Sequence, residues 1–502
     1  MSKQDKKELR QQIACELLEE NYLQFGSLRH DVVTDRLQIR IADSLENASL
    51  QNAPEGLQFR GKENWRNLTD KDINTMVCQC VAEKGVNIST NEMWTALKSD
   101  MVPAVHPLRA WLDELRPYTA DQPDWIDMVA QQVHVKNNNA ECGINKNNLN
   151  NLCARPTLAL AKEDISLLSQ QQSVSSPLSN VGEAEELSML SSEQTNPLSL
   201  QDSPAERLWR ACFKKWFVAM VASWMKDEVV NHTVLVLVGR QGIFKTTWLD
   251  NLIPPELRAY SSKLPLSGQI SKDDRLRLCE NGMLNIDELD AMCGREMNIV
   301  KSLLTSTDVN ERAAYGRLKE RRVRLASFCA STNKREFLTD ITGNRRWLPF
   351  EVESIQNPFH TIIPYERLYA QAKALVEEGM FSYWFDMEEM EVLEAHNEEF
   401  RALENEEQLL PILFDVPAEG RGEFMTTAEI SDRLATYGGI KKPMSIRKLN
   451  AILERHEFQA VRPYVDGKQI RGWLVYRRRQ DEIEIKQKEL ANKSQRHEDI
   501  LY

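Results

Sequence analysis

The chain has 502 residues, enough for two to four domains with a sizeable core, and a formal net charge of −12. That acidity excludes indiscriminate binding of nucleic acid over the whole surface. No apolar stretch reaches the length of a membrane span, and the start Met1-Ser2-Lys3-Gln4-Asp5-Lys6-Lys7 lacks the apolar core of a signal peptide. Nine cysteines are scattered, with only Cys78-x-Cys80 close together; this is a poor zinc signature and fits reduced thiols of a cytoplasmic protein.

Residues 1–135 read as a compact mixed α/β domain. Leu37, Ile39 and Ile41 alternate as in a half-buried strand, Ser89 with Glu92 makes a capping box before Met93, Trp94 and Leu97, and Pro107 opens a helix carrying Leu108, Trp111, Leu112 and Leu115. No catalytic constellation is evident there, and His106 reads as a helix-start residue rather than a ligand. Residues 136–203 are rich in Asn, Ser, Gln and Leu, poor in aromatics and without a sustained apolar period, which predicts a disordered linker.

Residues 204–356 carry the chemistry. The apolar strand Val234-Leu235-Val236-Leu237-Val238 runs into Gly239-Arg240-Gln241-Gly242-Ile243-Phe244-Lys245-Thr246-Thr247, the layout of a nucleoside-triphosphate phosphate loop. Such a loop needs backbone N–H groups converging on phosphates, a lysine for the β/γ oxygens and a hydroxyl for Mg²⁺ at a helix start. Gly239, Gln241, Gly242, Lys245, Thr246 and Thr247 are the ATP-binding candidates. Phe244 stands where glycine is expected, and its Cβ crowds the loop.

A second apolar strand, Met283-Leu284-Asn285-Ile286, ends in Asp287-Glu288, with Asp287 as the Mg²⁺ candidate beside Thr246 and Glu288 as the base that prepares water. A third, Leu325 to Thr332, ends at Asn333, whose amide can orient that water or contact the γ-phosphate. The polar turn Gly343-Asn344-Arg345-Arg346-Trp347 then offers two arginines suited to neutralising charge on a transferred phosphoryl group, in trans from a neighbouring subunit. Singly, each feature has an ordinary reading: a solvated helix start, a turn residue, surface charge. In this order, all after apolar strands, they predict an ATPase with a three-layer α/β fold of the ASCE P-loop type.

A helical extension is expected over 357–420. Between Arg421 and Arg479 there are thirteen Lys or Arg against six Asp or Glu, the one markedly basic region. Thr427 to Leu434 and Ser445 to His456 read as two helices separated by Gly438-Gly439, followed by strands Ala460–Tyr464 and Gly472–Tyr476 around Asp466-Gly467. Helix, turn, helix and strand pair predict a winged helix, with Arg447, Lys448, Arg455, Lys468 and Arg471 as phosphate contacts to DNA, or alternatively a protein-docking module. Residues 480–502 form a charged tail.

The region from Ala205 to Ile355 resembles the virulence-associated E family, P-loop proteins of mobile genetic elements related to superfamily 3 helicases. The likeness rests on Gly239-x-Gln241-Gly242-x-x-Lys245-Thr246-Thr247-Trp248, Asp287-Glu288-Leu289-Asp290, Lys301, Asn310-Glu311-Arg312-x-x-Tyr315-x-Arg317, Ser331-Thr332-Asn333, and the highly specific run Phe337-Leu338-Thr339-Asp340-x-Thr342-Gly343-Asn344-Arg345-Arg346-Trp347. It also closely resembles a branch with a further C-terminal domain of unknown function, in which an aromatic before the motif lysine is tolerated. The resemblance implies that Lys245 and Thr246 bind nucleotide, Asp287 and Glu288 serve metal and water, Asn333 is the sensor, and Arg345 or Arg346 is the trans-acting finger. It also implies that Arg312 to Arg324, with Arg312, Arg317, Lys319, Arg321, Arg322 and Arg324, forms a hairpin facing DNA in a central channel.

The expectation is therefore an ATP- and Mg²⁺-dependent helicase or translocase, a homo-oligomeric and by kinship hexameric ring, acting on single-stranded or forked DNA in replication of a mobile element. No primase site is recognisable, so a primase would be a separate partner. The alternatives are an ATP-dependent loader or switch without unwinding, and a non-enzymatic winged-helix regulator with a vestigial P-loop.

Overall fold

The computed structural model describes residues 3–40, 65–137, 203–264, 271–287, 289, 294–311, 320–338, 344–418, 422–465 and 468–498. It forms two compact units, Met1–Arg335 with Thr342–Phe400, and Glu336–Ile341 with Arg401–Tyr502. Glu288, most of the predicted linker, the hairpin tip 312–319, residues 339–343 and the turn Asp466-Gly467 lie outside the described residues.

In the first unit, β1 (Leu28–Asp31), β2 (Arg36–Arg40), β3 (Trp65–Asn67) and β4 (Ala104–Val105) make a small sheet in the order β3-β2-β1-β4. The helices Lys3–Leu18, Asp70–Lys84 and Thr90–Leu97 bury Leu17, Met76 and Met93 in a core shared with Leu28 of that sheet. The Ser89–Glu92 capping box is formed: Glu92 N–H donates to Ser89 Oγ at 3.3 Å, and Ser89 N–H donates to Glu92 Oε2 at 2.7 Å. His106 caps the helix Pro107–Asp113 by accepting from Arg109 N–H at 3.3 Å. Burial, with the positive charge of Arg109 beside it, pushes its imidazole down to about 4, so it is a neutral cap.

The larger sheet contains β5 (Val133–Val135), β6 (Val234–Val238), β7 (Ser261–Lys263), β8 (Met283–Ile286), β11 (Ser327–Thr332) and β12 (Trp347–Ile355), in the order β5-β12-β6-β11-β8-β7. All neighbours are parallel except β5, which runs antiparallel to β12. Every residue of β6, β8 and β11 is buried, as expected of parallel strands covered on both faces. One cover is the helix Pro204–Met225, started by a Ser203–Glu206 capping box and Pro204; fourteen of its residues are buried, so it is apolar nearly all round. Because β5 and the helices Pro107–Asp113 and Trp125–Ala130 share this helix's core, the sheet draws on chain from both sides of the 135 boundary.

Between the sheet strands, β9 (Asp308–Glu311) and β10 (Glu320–Val323) pair as an antiparallel hairpin. Its arginines divide. Arg321 is three-quarters exposed and pairs with Asp308 at 2.6 Å. Arg322 is mostly buried, bonded to Glu280 and to the carbonyl of Val33. Arg324 corrects the DNA-facing expectation: it is fully buried, and its guanidinium donates to the carbonyls of Ala326, Leu304 and Asn231 at 3.0, 2.8 and 2.6 Å and lies over the Phe328 ring. A cation against carbonyls at the end of the helix Gly294–Thr305 caps that helix and cannot reach nucleic acid.

In the second unit, the helices Thr427–Gly438 and Ile446–Arg455 pack with a sheet in which β18 (Gly472–Arg477) pairs with β13 (Phe414–Asp415), β14 (Glu423–Met425) and β15 (Gln459–Val461). A separate strand pair, β16 (Tyr464–Val465) with β17 (Lys468–Gln469), continues beyond β15. Thr426 and Ser445 cap the two helices. Trp473 is fully buried beneath them and donates to Thr427 Oγ1 at 3.0 Å.

Candidate active site

The carboxyl ends of β6, β11 and β8 lie side by side because β11 sits between the other two. The order reverses here, since the chain leaves β6 for the far edge and returns through β8 and β11 before crossing to β12; such a switch point leaves a crevice at the strand ends. β6 feeds the loop 239–244 and the helix Lys245–Asp250. Gly239 is required by space: a Cβ there would stand 2.9 Å from Val352 O. Gly242 has φ +87°. Phe244 adopts φ 66°, ψ 17°, the left-handed conformation that glycine takes without cost, immediately before Lys245.

Lys245 is buried, and its Nζ donates to Gly239 O and Arg240 O at 2.7 Å each and to Asn333 Oδ1 at 3.1 Å. Thr246 Oγ1 donates to Asp287 Oδ1 at 3.2 Å and lies 3.0 Å from Ser331 Oγ, which itself donates to Asp287 Oδ1 at 3.2 Å. Lys263, at the end of β7, donates to Asp287 Oδ2 at 2.7 Å. Burial alone would raise the Asp287 carboxyl, but Lys263 and the hydroxyls of Ser331 and Thr246 outweigh it and hold the group below its ordinary value. Asp287 is therefore an anion at neutral pH.

A cavity of about 310 Å³ opens over these groups, lined by Gln241, Gly242, Phe244, Lys245, Thr246, Thr247, Asp287, Ser331, Thr332 and Asn333. The structure thus brings together the predicted loop residues, Asp287 and Asn333. Gly239 shapes the loop from beneath. Arg345 and Arg346 stand on the short turn Asn344–Arg346, Arg345 exposed and Arg346 half-buried, and neither lines the cavity. The turn is anchored by Asn397, whose Nδ2 donates to Asn344 O and Trp347 O at 2.8 and 3.0 Å. Thr246 Oγ1 beside the Asp287 carboxylate is a pair of hard oxygen donors that suits Mg²⁺.

Lys263 was not among the sequence candidates, because a three-residue strand carries no periodic signal. Sequence alone assigns Ser331 no role of its own beyond the strand end and the Ser331-Thr332-Asn333 motif, although that motif puts polar side chains directly after an apolar run.

Residues 195–402 match the model of the virulence-associated protein E-like domain. The chain carries a virulence-associated protein E-like domain. This segment spans the whole loop, both acidic candidates and the arginine turn. Solved apo structures of the NrS-1 C-terminal region are also similar to this chain. One shares 11% identity, with 92% of this chain and 99% of that chain covered and a TM-score of 0.37. Two others share 10% and 12% identity, cover 89% and 90% of this chain and 96% and 98% of theirs, and have TM-scores of 0.32 and 0.35. No curated protein matches the chain. Among the described residues, no helix is long and apolar enough to cross a membrane.

Proposed function

We propose that the chain is a Mg²⁺-dependent P-loop ATPase of the three-layer ASCE type, working on DNA as a homo-oligomeric ring during replication of a mobile genetic element. The observation that carries this reading is the meeting of Lys245, Thr246, Asp287 and Asn333 around one cavity at the ends of three neighbouring parallel strands. Lys245 supplies charge to the β/γ-phosphates, the loop amides cradle them, and Thr246 with Asp287 would hold Mg²⁺, which neutralises charge on the transferred group. Asn333, which accepts from Lys245, is assigned as the sensor of the γ-phosphate. Glu288, next in the chain, is assigned as the base for water. Arg345 and Arg346 are assigned to the site of a neighbouring subunit, since they stand outside the cavity of their own chain.

The helices and strand pairs of the second unit support a winged helix on DNA, with a revised contact set. Lys448, Arg455 and Arg471 are engaged by Glu404, Glu407 and Glu454, whereas Arg447 and Lys468 are exposed and in no ion pair among the described residues. Strand displacement on forked DNA tests the motor directly. ATP-dependent displacement is expected; ATP consumed without displacement would leave a loader or switch instead.

A further inference from the structure

Two anomalies meet at the rim of the cavity. Phe244 holds a left-handed conformation, which costs a residue with a Cβ about 1–2 kcal/mol, and strain of this kind concentrates at functional sites. Phe359 is 73% exposed, a large ring left in water. The two rings pack edge to face with centroids 6.1 Å apart.

The turn that presents Phe359 is pre-organised. It follows β12, whose last residues are continued by Gln356 N–H donating to Gln132 O at 2.8 Å. Asn357 then closes an Asx turn, its Oδ1 accepting from Phe359 N–H at 3.0 Å and its carbonyl from His360 and Thr361 N–H at 3.0 Å each. At the far end, Tyr365 Oη donates to Asn251 O at 2.6 Å, just after the helix that begins with Lys245. The phosphate loop and the Phe359 turn are thereby tied to one support.

We propose that Phe244 and Phe359, perpendicular to each other, form an aromatic platform on which the base of the bound nucleoside triphosphate stacks against the exposed Phe359 face and contacts Phe244 beside it. This rests on the phosphate-site reading above and deepens it. Phe244 lines the same cavity as Lys245 and is its chain neighbour, so a base on this pair continues from phosphates held at Lys245. A ring face binds any base, and a purine offers the larger surface. The position where glycine is expected therefore carries a ring that adds a base contact to a loop otherwise made for phosphate.

The test is calorimetric titration of wild type, Phe359→Ala and Phe359→Trp with ATP and with inorganic tripolyphosphate, each with Mg²⁺. Phe359 is exposed, so neither change threatens folding. Phe359→Ala is expected to weaken ATP about tenfold and to leave tripolyphosphate unchanged, with Phe359→Trp retaining ATP affinity. Equal weakening of both ligands, or of neither, would overturn the platform while leaving the phosphate site intact. A wild type that binds neither ligand would overturn the phosphate-site reading itself, and the platform with it.

Discussion

Replacing Arg324 by Met separates a buried structural arginine from the exposed Arg321 three residues earlier. The guanidinium is fully buried and donates to five carbonyls, of which Ser306 O at 3.4 Å is the longest contact. Leu303 O and Leu304 O keep other donors, Ser306 N–H and His232. Of the other three, Ser306 O loses only the longest contact; stranding Asn231 O and Ala326 O at about 1–3 kcal/mol each gives a loss near 4 kcal/mol. Arg321, exposed and held among the described residues only by Asp308, should cost no more than about 1 kcal/mol as Arg321→Met. Urea unfolding followed by tryptophan fluorescence reads both, since Trp216 and Trp224 lie in the adjoining core. If Arg324→Met unfolds within 1 kcal/mol of Arg321→Met, the helix-capping role assigned to Arg324 is wrong.

Other outcomes follow from the same contacts. Lys215 is buried with Glu389 at 3.0 Å and donates to Ser382 O and Trp384 O; Lys215→Ala strands that carboxylate and should destabilise by about 3–5 kcal/mol in the same assay, while a loss under about 1 kcal/mol would contradict the pair's burial. In the second unit, burial would raise the Glu407 carboxyl, but His456 and the bidentate Arg401 hold it down to about 2. A depressed carboxyl contributes stability above its unfolded value of 4.5 that is lost as pH falls toward 2, so about 2 kcal/mol should disappear across that window and Glu407→Gln should flatten the pH profile of thermal unfolding. Lys263 and a divalent cation contend for Asp287 Oδ2, so Lys263→Met should bind Mn²⁺ more tightly in a paramagnetic-resonance titration and Asp287→Asn more weakly; unchanged affinity in both would remove Asp287 from the metal site. Mixing inactive Lys245→Ala with inactive Arg345→Ala should restore partial turnover if the arginine acts across a subunit boundary, and no recovery is expected if it acts within its own chain.

Much of the core was legible because parallel strands buried on both faces are continuous apolar runs, and Val234–Val238 and Met283–Ile286 announce themselves that way. The loop was legible because its glycines and Lys245-Thr246 stand at short, fixed spacing directly after an apolar strand. The helices Thr427–Gly438 and Ile446–Arg455 were visible from their apolar spacing, the Ser445 cap and the Gly438-Gly439 break between them. What was hidden depends on long-range contact. Nothing local marks Lys263 as the partner of Asp287, or Arg324 as buried while Arg321, three residues earlier, is exposed. β5 was hidden for the same reason: three residues before a polar stretch gain their meaning only by pairing with β12, over two hundred residues away.

The most direct test of the central claim is the rate of ATP hydrolysis by wild type and by Lys245→Ala, with Mg²⁺ and single-stranded DNA. Turnover by the wild type that is stimulated by DNA and abolished in the variant is the predicted result. A folded wild type that hydrolyses no ATP, or a variant that hydrolyses it equally well, would contradict the account.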